Sequence, residues 1–269
     1  MPPNKHSAPP NNGQSIPANA PLQPSDVESR ITSFYNDFTI NQRYASYDFC
    51  YTYFQTHKGS LVEDMEKSCY CLWSYLGSWG MLRGSGQLLQ CSPAALKLLI
   101  SYFDIINPSP IWTIDVPQYM QGANHKLILE VYTDIKAILD QIVFRRKGKA
   151  SVTLITKIML GVFGVVPALD NNFKRAFHNH FRTQDGNPIP FSSTLGIDQL
   201  YAINNFYRDF KTTLDTIRIE TLQFDGTPSG KTYKIAKLID MFGFVYGKEL
   251  SKNAPAIQPT TNTLKKNNP

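Results

Sequence analysis

Apolar residues recur every three or four positions through most of the chain between residues 25 and 249. Near the start of this stretch Val27, Ile31 and Phe34 keep that spacing, which places them on one face of an α-helix with 3.6 residues per turn. Ile111–Val116 alternates as a strand would, but a lone strand has nothing to pair with. The sequence therefore predicts an all-α fold, a compact orthogonal multi-helix domain. Further helices are predicted at 43–57, 93–105, 118–143, 151–160, 168–181, 197–224 and 231–246.

Residues 1–24 and 250–269 are rich in Pro, Asn, Thr and Lys and have no apolar periodicity. Such composition predicts two disordered tails around a helical domain at 25–249. Two pairs, Ser25 with Glu28 and Ser60 with Glu63, have the spacing of a capping box, in which each side chain binds a free backbone N–H of the first turn. A helix is therefore predicted to begin at each pair.

The amino-acid composition argues against a membrane protein and against a secreted, disulfide-rich protein. Hydrophobic residues make up 42% of the chain, and no apolar run approaches the ~20 residues that cross a bilayer. The N-terminal residues lack the apolar stretch of a secretory signal, and four cysteines are too few for a disulfide-stapled fold. We therefore expect a cytoplasmic protein with reduced thiols, no membrane anchor, no bound metal and no cofactor.

Positively charged residues are concentrated in one part of the chain. The formal net charge is +6 with a pI near 9.0, which attracts polyanions in general. Arg145, Arg146, Lys147 and Lys149 lie within five residues, and Arg175 follows nearby. This stretch is where the sequence predicts contact with an anion.

Three motifs resemble reactive sites but have simpler explanations. Gly226–Thr232 is one residue shorter than a phosphate loop and follows a helical pattern, so it predicts a turn that caps the next helix. Cys69 and Cys71 point about 200° apart on a helix, which favours buried thiols over a metal site. Arg175 and His180 have a spacing found in small helical ribonucleases, yet surface residues at a helix end are the simpler interpretation.

The glycines around Trp79 and Arg83 interrupt an otherwise helical segment. Gly77 and Gly80 precede Arg83, and two more glycines follow it within three residues. Helix interiors tolerate glycine poorly, so a turn is expected here. We favour close helix packing at this turn over a binding loop.

The segment Thr153–Phe177 combines two helical patterns with glycines between them. Gly161 could end the first helix with a positive φ, and Gly164 allows a close approach of the backbone. Pro167 suits the first turn of a second helix, which then presents Asp170. The segment therefore predicts a helix, a glycine hairpin and a second helix.

Thr153–Phe177 resembles the helix-hairpin-helix DNA glycosylase superfamily. The resemblance implies that backbone amides near Gly161 and Gly164 hold a DNA phosphate and that Asp170 is the catalytic carboxylate. Two residues separate the glycines where the family has one, and Asn172 stands where the family has histidine. Nucleic-acid contacts are predicted for Arg145, Arg146, Lys147, Lys149, Lys157, Gly161, Gly164 and Arg175.

Two functions from different classes follow from these patterns. The first is a nucleic-acid-binding helical domain with glycosylase-like chemistry on DNA, whose complex would weaken steeply with salt. The second is a non-enzymatic module whose aromatic-rich helices, with 14 Tyr and 16 Phe in the chain, bind a protein partner.

Ser78–Ser85 and Thr156–Gly161 are also similar to segments of uncharacterised bacterial helical proteins, a resemblance that implies no activity.

Overall fold

The computed structural model describes residues 21–36, 38–83, 87–142, 149–178, 191 and 194–253. Within these residues the chain forms ten α-helices and one antiparallel pair of short strands, which confirms the predicted all-α class. Four short 3-10 turns lie between the helices. The elements are α1 (Pro24–Asn36), α2 (Ala45–His57), α3 (Met65–Ser78), α4 (Lys97–Ile105), α5 (Asn124–Ile142), α6 (Val152–Phe163), α7 (Asn171–His178), α8 (Ile197–Asp209), α9 (Lys211–Thr216), β1 (Glu220–Leu222), β2 (Pro228–Thr232) and α10 (Ile235–Asn253).

Helix α6 lies at the centre of the molecule. Every residue from Val152 to Phe163 except Thr153 is buried, and α2, α3 and α5 all contact this helix. A helix that is covered on all sides needs no polar stripe, which explains why its sequence is apolar almost throughout. The single charged residue on it, Lys157, is therefore placed inside the protein.

Helices α7 and α10 meet along a seam formed by two glycines of α10. An ideal Cβ at Gly243 would lie 2.6 Å from the Phe173 ring, and one at Gly247 would lie 1.9 Å from the backbone oxygen of Asn172. Neither position has room for a side chain, so the two backbones lie in direct contact. This seam fixes the beginning of α7 against the second half of α10.

The predicted helix start near Ser25 is correct to within one residue, whereas several other helices begin later than predicted. At α1 and α3, aspartates rather than the predicted serines bind N–H groups at the helix start. Helix α1 begins at Pro24, where the Asp26 carboxylate accepts the N–H of Gln23. Helix α3 begins at Met65, capped by Asp64, whereas the Ser60 hydroxyl donates to the carbonyl of His57. The helices predicted from residues 93 and 118 begin later, because 3-10 turns occupy Pro93–Leu96 and Val116–Gln118.

A β-hairpin replaces the predicted end of the 197–224 helix. That region forms α8, α9 and then β1, which pairs with β2 so that Glu220 faces Thr232 and Leu222 faces Pro228. The prediction that Thr227–Ser229 forms a turn that caps the next helix is therefore wrong, since Gly226–Thr232 contains the whole of β2. Ile111–Val116 is not a strand, because 3-10 turns occupy its two ends.

Helices extend into both ranges that were predicted to be tails. Pro24 belongs to α1, and residues 250–253 belong to α10, which ends at Asn253. Residues 21–23 precede α1, and the remaining parts of the two predicted tails, residues 1–20 and 254–269, lie outside the described residues.

Asp48 on α2 attaches the hairpin and the start of α10 to the core. Its carboxylate accepts the N–H of Leu222 at 2.9 Å and the hydroxyl of Tyr233 at 2.6 Å. Burial raises the pKa of Asp48 to about 6, although both hydrogen bonds and the charge of Lys237 act in the opposite direction. The carboxyl group is thus easier to protonate in the folded protein than in the unfolded chain.

We predict that Asp48→Asn makes the free energy of unfolding less dependent on pH. Because the folded pKa lies above the unfolded value of about 4, Asp48 stabilises the fold below pH 4 and loses this contribution as the pH rises through 6. The free energy of unfolding of the wild type, relative to the variant, should therefore fall by roughly 2 to 3 kcal/mol between pH 4 and pH 7. Urea titrations at four pH values measure this difference, and a flat or rising difference would contradict the assignment.

We also predict that Gly247→Ala lowers the free energy of unfolding by about 3 kcal/mol or more. The added methyl group meets a backbone oxygen that cannot swing aside, so α7 must move away from α10. The matched control is Lys248→Ala, which removes an exposed side chain from the next position and should change stability by less than about 0.5 kcal/mol. Thermal denaturation compares the two, and equal melting temperatures would show that the seam has spare room.

Candidate functional site

The connection between α6 and α7 is a buried segment without regular secondary structure, in place of the predicted hairpin. Gly161 lies inside α6 beneath the Tyr75 ring, so the prediction that it ends the helix is wrong. Gly164 ends the helix instead, with a φ of 63°, and its N–H donates to the carbonyl of Leu160. Residues 164–169 are all buried, which leaves this backbone without a surface for a phosphate.

Side chains satisfy the polar backbone of this buried connection. The N–H of Ala168 donates to the Asp240 carboxylate at 3.0 Å, and the N–H of Leu169 donates to the Thr156 hydroxyl at 3.0 Å. The Thr153 hydroxyl donates to the carbonyl of Leu169 at 2.8 Å. Since a buried loop needs a partner for each polar group, these bonds fix the path of the chain towards α7.

Asp170 stands directly before α7 and caps it. Its Oδ1 accepts the N–H groups of Asn172 and Phe173, both at 2.9 Å. Burial raises the pKa of the Asp170 carboxyl, and the nearby charge of Asp240 raises it further. The bond from Phe173 and the charge of Lys157 oppose that rise. The side chain therefore combines a structural cap with an altered acidity.

The side chain of Lys157, on the central helix α6, lies in the same region as Asp170. Its ammonium donates to the backbone carbonyl of Trp79 at 2.7 Å, and the side chain is only 5% exposed. Burial lowers the pKa of Lys157, while the charges of Asp170 and Asp240 oppose that shift. Lys157 and Asp170 thus act on each other electrostatically, 13 positions apart in sequence.

Helix α10 contributes a buried ion pair beside them. The Lys237 ammonium lies 2.9 Å from the Asp240 carboxylate, and both residues are buried. The same ammonium lies 4.5 Å from the centre of the Tyr47 ring and 5.2 Å from that of Trp79, so aromatic faces supply much of its surroundings. We call Trp79, Lys157, Asp170, Lys237 and Asp240 the Trp79 cluster.

Two arginines extend the positive charge of the Trp79 cluster to the surface. The Arg43 guanidinium lies 5.6 Å from the centre of the Trp79 ring, and Arg83 is exposed nearby. Both charges act on Lys157 and help to lower its pKa. Four cationic side chains therefore face two carboxylates around one indole ring, which leaves an excess of positive charge.

The Trp79 indole also has an unsatisfied hydrogen-bond donor. Its Nε1 is buried and has no hydrogen-bond partner among the described residues. The ring borders a cavity of about 10 Å³, lined also by Lys157, Asp170 and Asp240, which has room for about one water molecule. Buried donors without partners are rare in native proteins, so this one marks a place where an acceptor fits.

The remaining predicted site residues are dispersed. Arg145, Arg146 and Lys147 lie outside the described residues. Lys149 is exposed near Asp140, whose pKa its charge helps to lower. Arg175 is exposed on α7 and donates to the carbonyl of Gly247 at 3.1 Å, across the glycine seam. Of the predicted set, the structure brings together Lys157 and Asp170, and it buries Gly161 and Gly164.

Sequence reasoning missed Lys237, Asp240 and Arg43. The signal for the first two is a Lys and an Asp three positions apart in Ile235–Phe244, a helix that is otherwise nearly all apolar. Charged residues are almost never fully buried unless they are paired, so such a pair inside an apolar run indicates a buried ion pair. Arg43 gives no comparable signal, because only the fold brings it to Trp79.

No protein-family model matches the sequence, and neither curated proteins nor solved structures gave a match. Over the ranges that the structure describes, no helix has the length and apolar character needed to cross a membrane. Across those same ranges, no three His, Cys, Asp or Glu side chains come close enough together to hold a metal ion.

Proposed function

We propose that the Trp79 cluster binds a phosphate group of a nucleic acid, and that the chain is a cytoplasmic nucleic-acid-binding protein. The observation that carries this proposal is that Arg43 and Arg83, at the rim of the cluster, give an excess of positive charge around an indole whose N–H has no partner among the described residues. A site of this kind fits an anionic acceptor. The net charge of +6 adds a general attraction to a polyanion.

Exposed groups at the rim would make the first contacts. Arg43 is exposed, and its guanidinium lies 5.2 and 5.6 Å from the centres of the Tyr44 and Trp79 rings, within the range of a cation–π contact with each. A guanidinium held in this way presents its N–H groups in a fixed direction, which suits bidentate contact with phosphate oxygens. Arg83 offers a second guanidinium beside it. The neighbouring aromatic faces suit stacking with a base.

The finer part of the proposal assigns glycosylase-like chemistry to Asp170, as the sequence resemblance implies. In such a hydrolysis the bond from C1′ of the sugar to the base nitrogen breaks, water adds its hydroxyl to C1′, and its proton goes to the departing base. The Asp170 carboxylate would stabilise the positive charge that develops on the sugar. The cavity beside Asp170 has room for the attacking water, and a flipped base would have to displace the Trp79 ring.

We predict that Arg43→Gln weakens DNA binding by about fivefold or more at 50 mM salt and lowers the slope of log K against log salt by about one. Gel-shift titrations from 50 to 200 mM salt measure both quantities. The matched control is Arg208→Gln, an exposed arginine on α8 outside the Trp79 cluster, which should bind as the wild type does. Equal losses in the two variants would assign the binding to general charge, and wild-type protein that binds no DNA at 50 mM salt would refute the proposal.

We predict further that Asp170→Asn abolishes base excision by about 100-fold or more while leaving DNA binding intact. Asparagine retains an oxygen for the two backbone N–H groups, so α7 stays capped and the melting temperature should change little. Excision is measured on duplexes that carry damaged or mismatched bases. Wild-type protein that binds DNA but excises no base would refute the glycosylase chemistry and leave the phosphate site in place.

A further inference from the structure

A groove on another part of the surface has the size of a small-molecule site. It lies between α2, α3 and the β-hairpin and has a volume of about 570 Å³, within the usual range of about 300 to 1,000 Å³ for such sites. Apart from the buried Tyr75, no residue that lines it lines the cavity of the Trp79 cluster. The groove is therefore separate from the Trp79 cluster.

Aromatic rings form the walls of this groove, which we call the aromatic groove. Phe49 and Tyr53 come from α2, Tyr70 comes from α3, and Phe224 comes from the turn of the hairpin. Phe224 is 85% exposed although its ring lies 5.2 Å from that of Phe49, and Tyr70 is 52% exposed. Leaving so much aromatic surface in water is costly, and a ring stacked in the groove would cover it.

One end of the aromatic groove carries basic side chains, which favour a negatively charged ligand there. His57 stacks on the Tyr53 ring at 4.4 Å, and the Lys67 ammonium lies 5.6 Å from the centre of the same ring. His57 Nδ1 lies 2.9 Å from the carbonyl of Tyr53, so Nδ1 carries the proton that this bond requires. Lys67 forms no ion pair within the described part of the chain.

No carboxylate lines this groove, although the Asp64 carboxylate lies close by and accepts the backbone N–H of Lys67 at 3.3 Å. Among the residues that line the groove, Lys67 therefore brings the positive charge and no Asp or Glu brings a negative one. Hydroxyl and amide groups, among them Ser46 and Gln223, supply hydrogen bonds along the walls. Charge complementarity thus favours an anion at the His57 and Lys67 end, next to the aromatic walls.

We propose that the aromatic groove binds a small molecule that joins a planar aromatic ring to one anionic group, either a carboxylate or a phosphate. The ring would stack on Phe224, Phe49 and Tyr70. The anionic group would contact the Lys67 ammonium as a charge-assisted partner. This places a ligand site on a surface formed jointly by two helices and the hairpin.

Calorimetric titration of the full chain with matched pairs of compounds tests the proposal. Indole-3-acetate is compared with neutral indole-3-acetamide, and adenosine monophosphate is compared with adenosine. We expect at least one anion to bind about tenfold more tightly than its neutral partner. The pair with the larger preference identifies the anionic group as carboxylate or phosphate. Failure of both anions to bind at millimolar concentration would overturn the proposal.

Variants locate the binding in the aromatic groove. Lys67→Gln should remove the preference for the anion, whereas Lys97→Gln, an exposed lysine on α4 outside the groove, should keep it. Phe224→Ser should weaken both members of a pair by about tenfold, whereas Tyr201→Ser, which removes an exposed ring from α8, should not. Anion binding that survives Phe224→Ser, or that is lost from Arg43→Gln, would place the ligand elsewhere. Self-association that depends on Phe224, in the absence of ligand binding, would show that the groove binds protein instead.

Discussion

The Lys234 ammonium holds the start of α10 to the end of α6, and the rest of the core depends on this contact. It donates to the backbone carbonyls of Trp112, Ile114 and Phe163 at 2.8 to 3.0 Å. Burial lowers the pKa of Lys234 to about 8, although the charge of Asp115 opposes that shift. Asp115 in turn accepts the first two N–H groups of α10, at 2.7 and 3.0 Å. A buried charge is stable only with all of its partners, so these contacts set where α10 begins.

The position of the Trp79 cluster follows from that arrangement. Lys157 projects from α6, while Lys237 and Asp240 project from the first turns of α10, so the distance between the two helices decides whether these charges meet. The result combines two buried lysines, two carboxylates and a buried indole N–H that has no partner among the described residues. Apolar residues at such positions often give a more stable core, so the buried charges fit the binding role proposed for this cluster.

The sequence predicted the helical class and the approximate extent of α2 and α6, because apolar spacing at 3.6 residues records which face of a helix is buried. It could not predict the hairpin, since Leu214, Ile217 and Phe224 are three and seven positions apart, a spacing that a helix would also give. It placed Asp170 correctly at the start of a helix, yet it treated Lys157 as a surface residue. Whether a lysine on an apolar helix faces water depends on what covers that helix, and only the tertiary packing of α2, α3 and α5 around α6 decides this.

The seam between α7 and α10 limits how this protein can vary. At Gly247 the two backbones are closer than a methyl group allows, so no other amino acid fits there without moving α7. Gly243 sets a second limit about one turn earlier on the same face of α10, because a Cβ there would lie 2.6 Å from the Phe173 ring. Asp170 therefore has a fixed position relative to Lys237 and Asp240. New specificities could arise through the exposed rim at Arg43 and Arg83 more readily than through any rearrangement of the carboxylates.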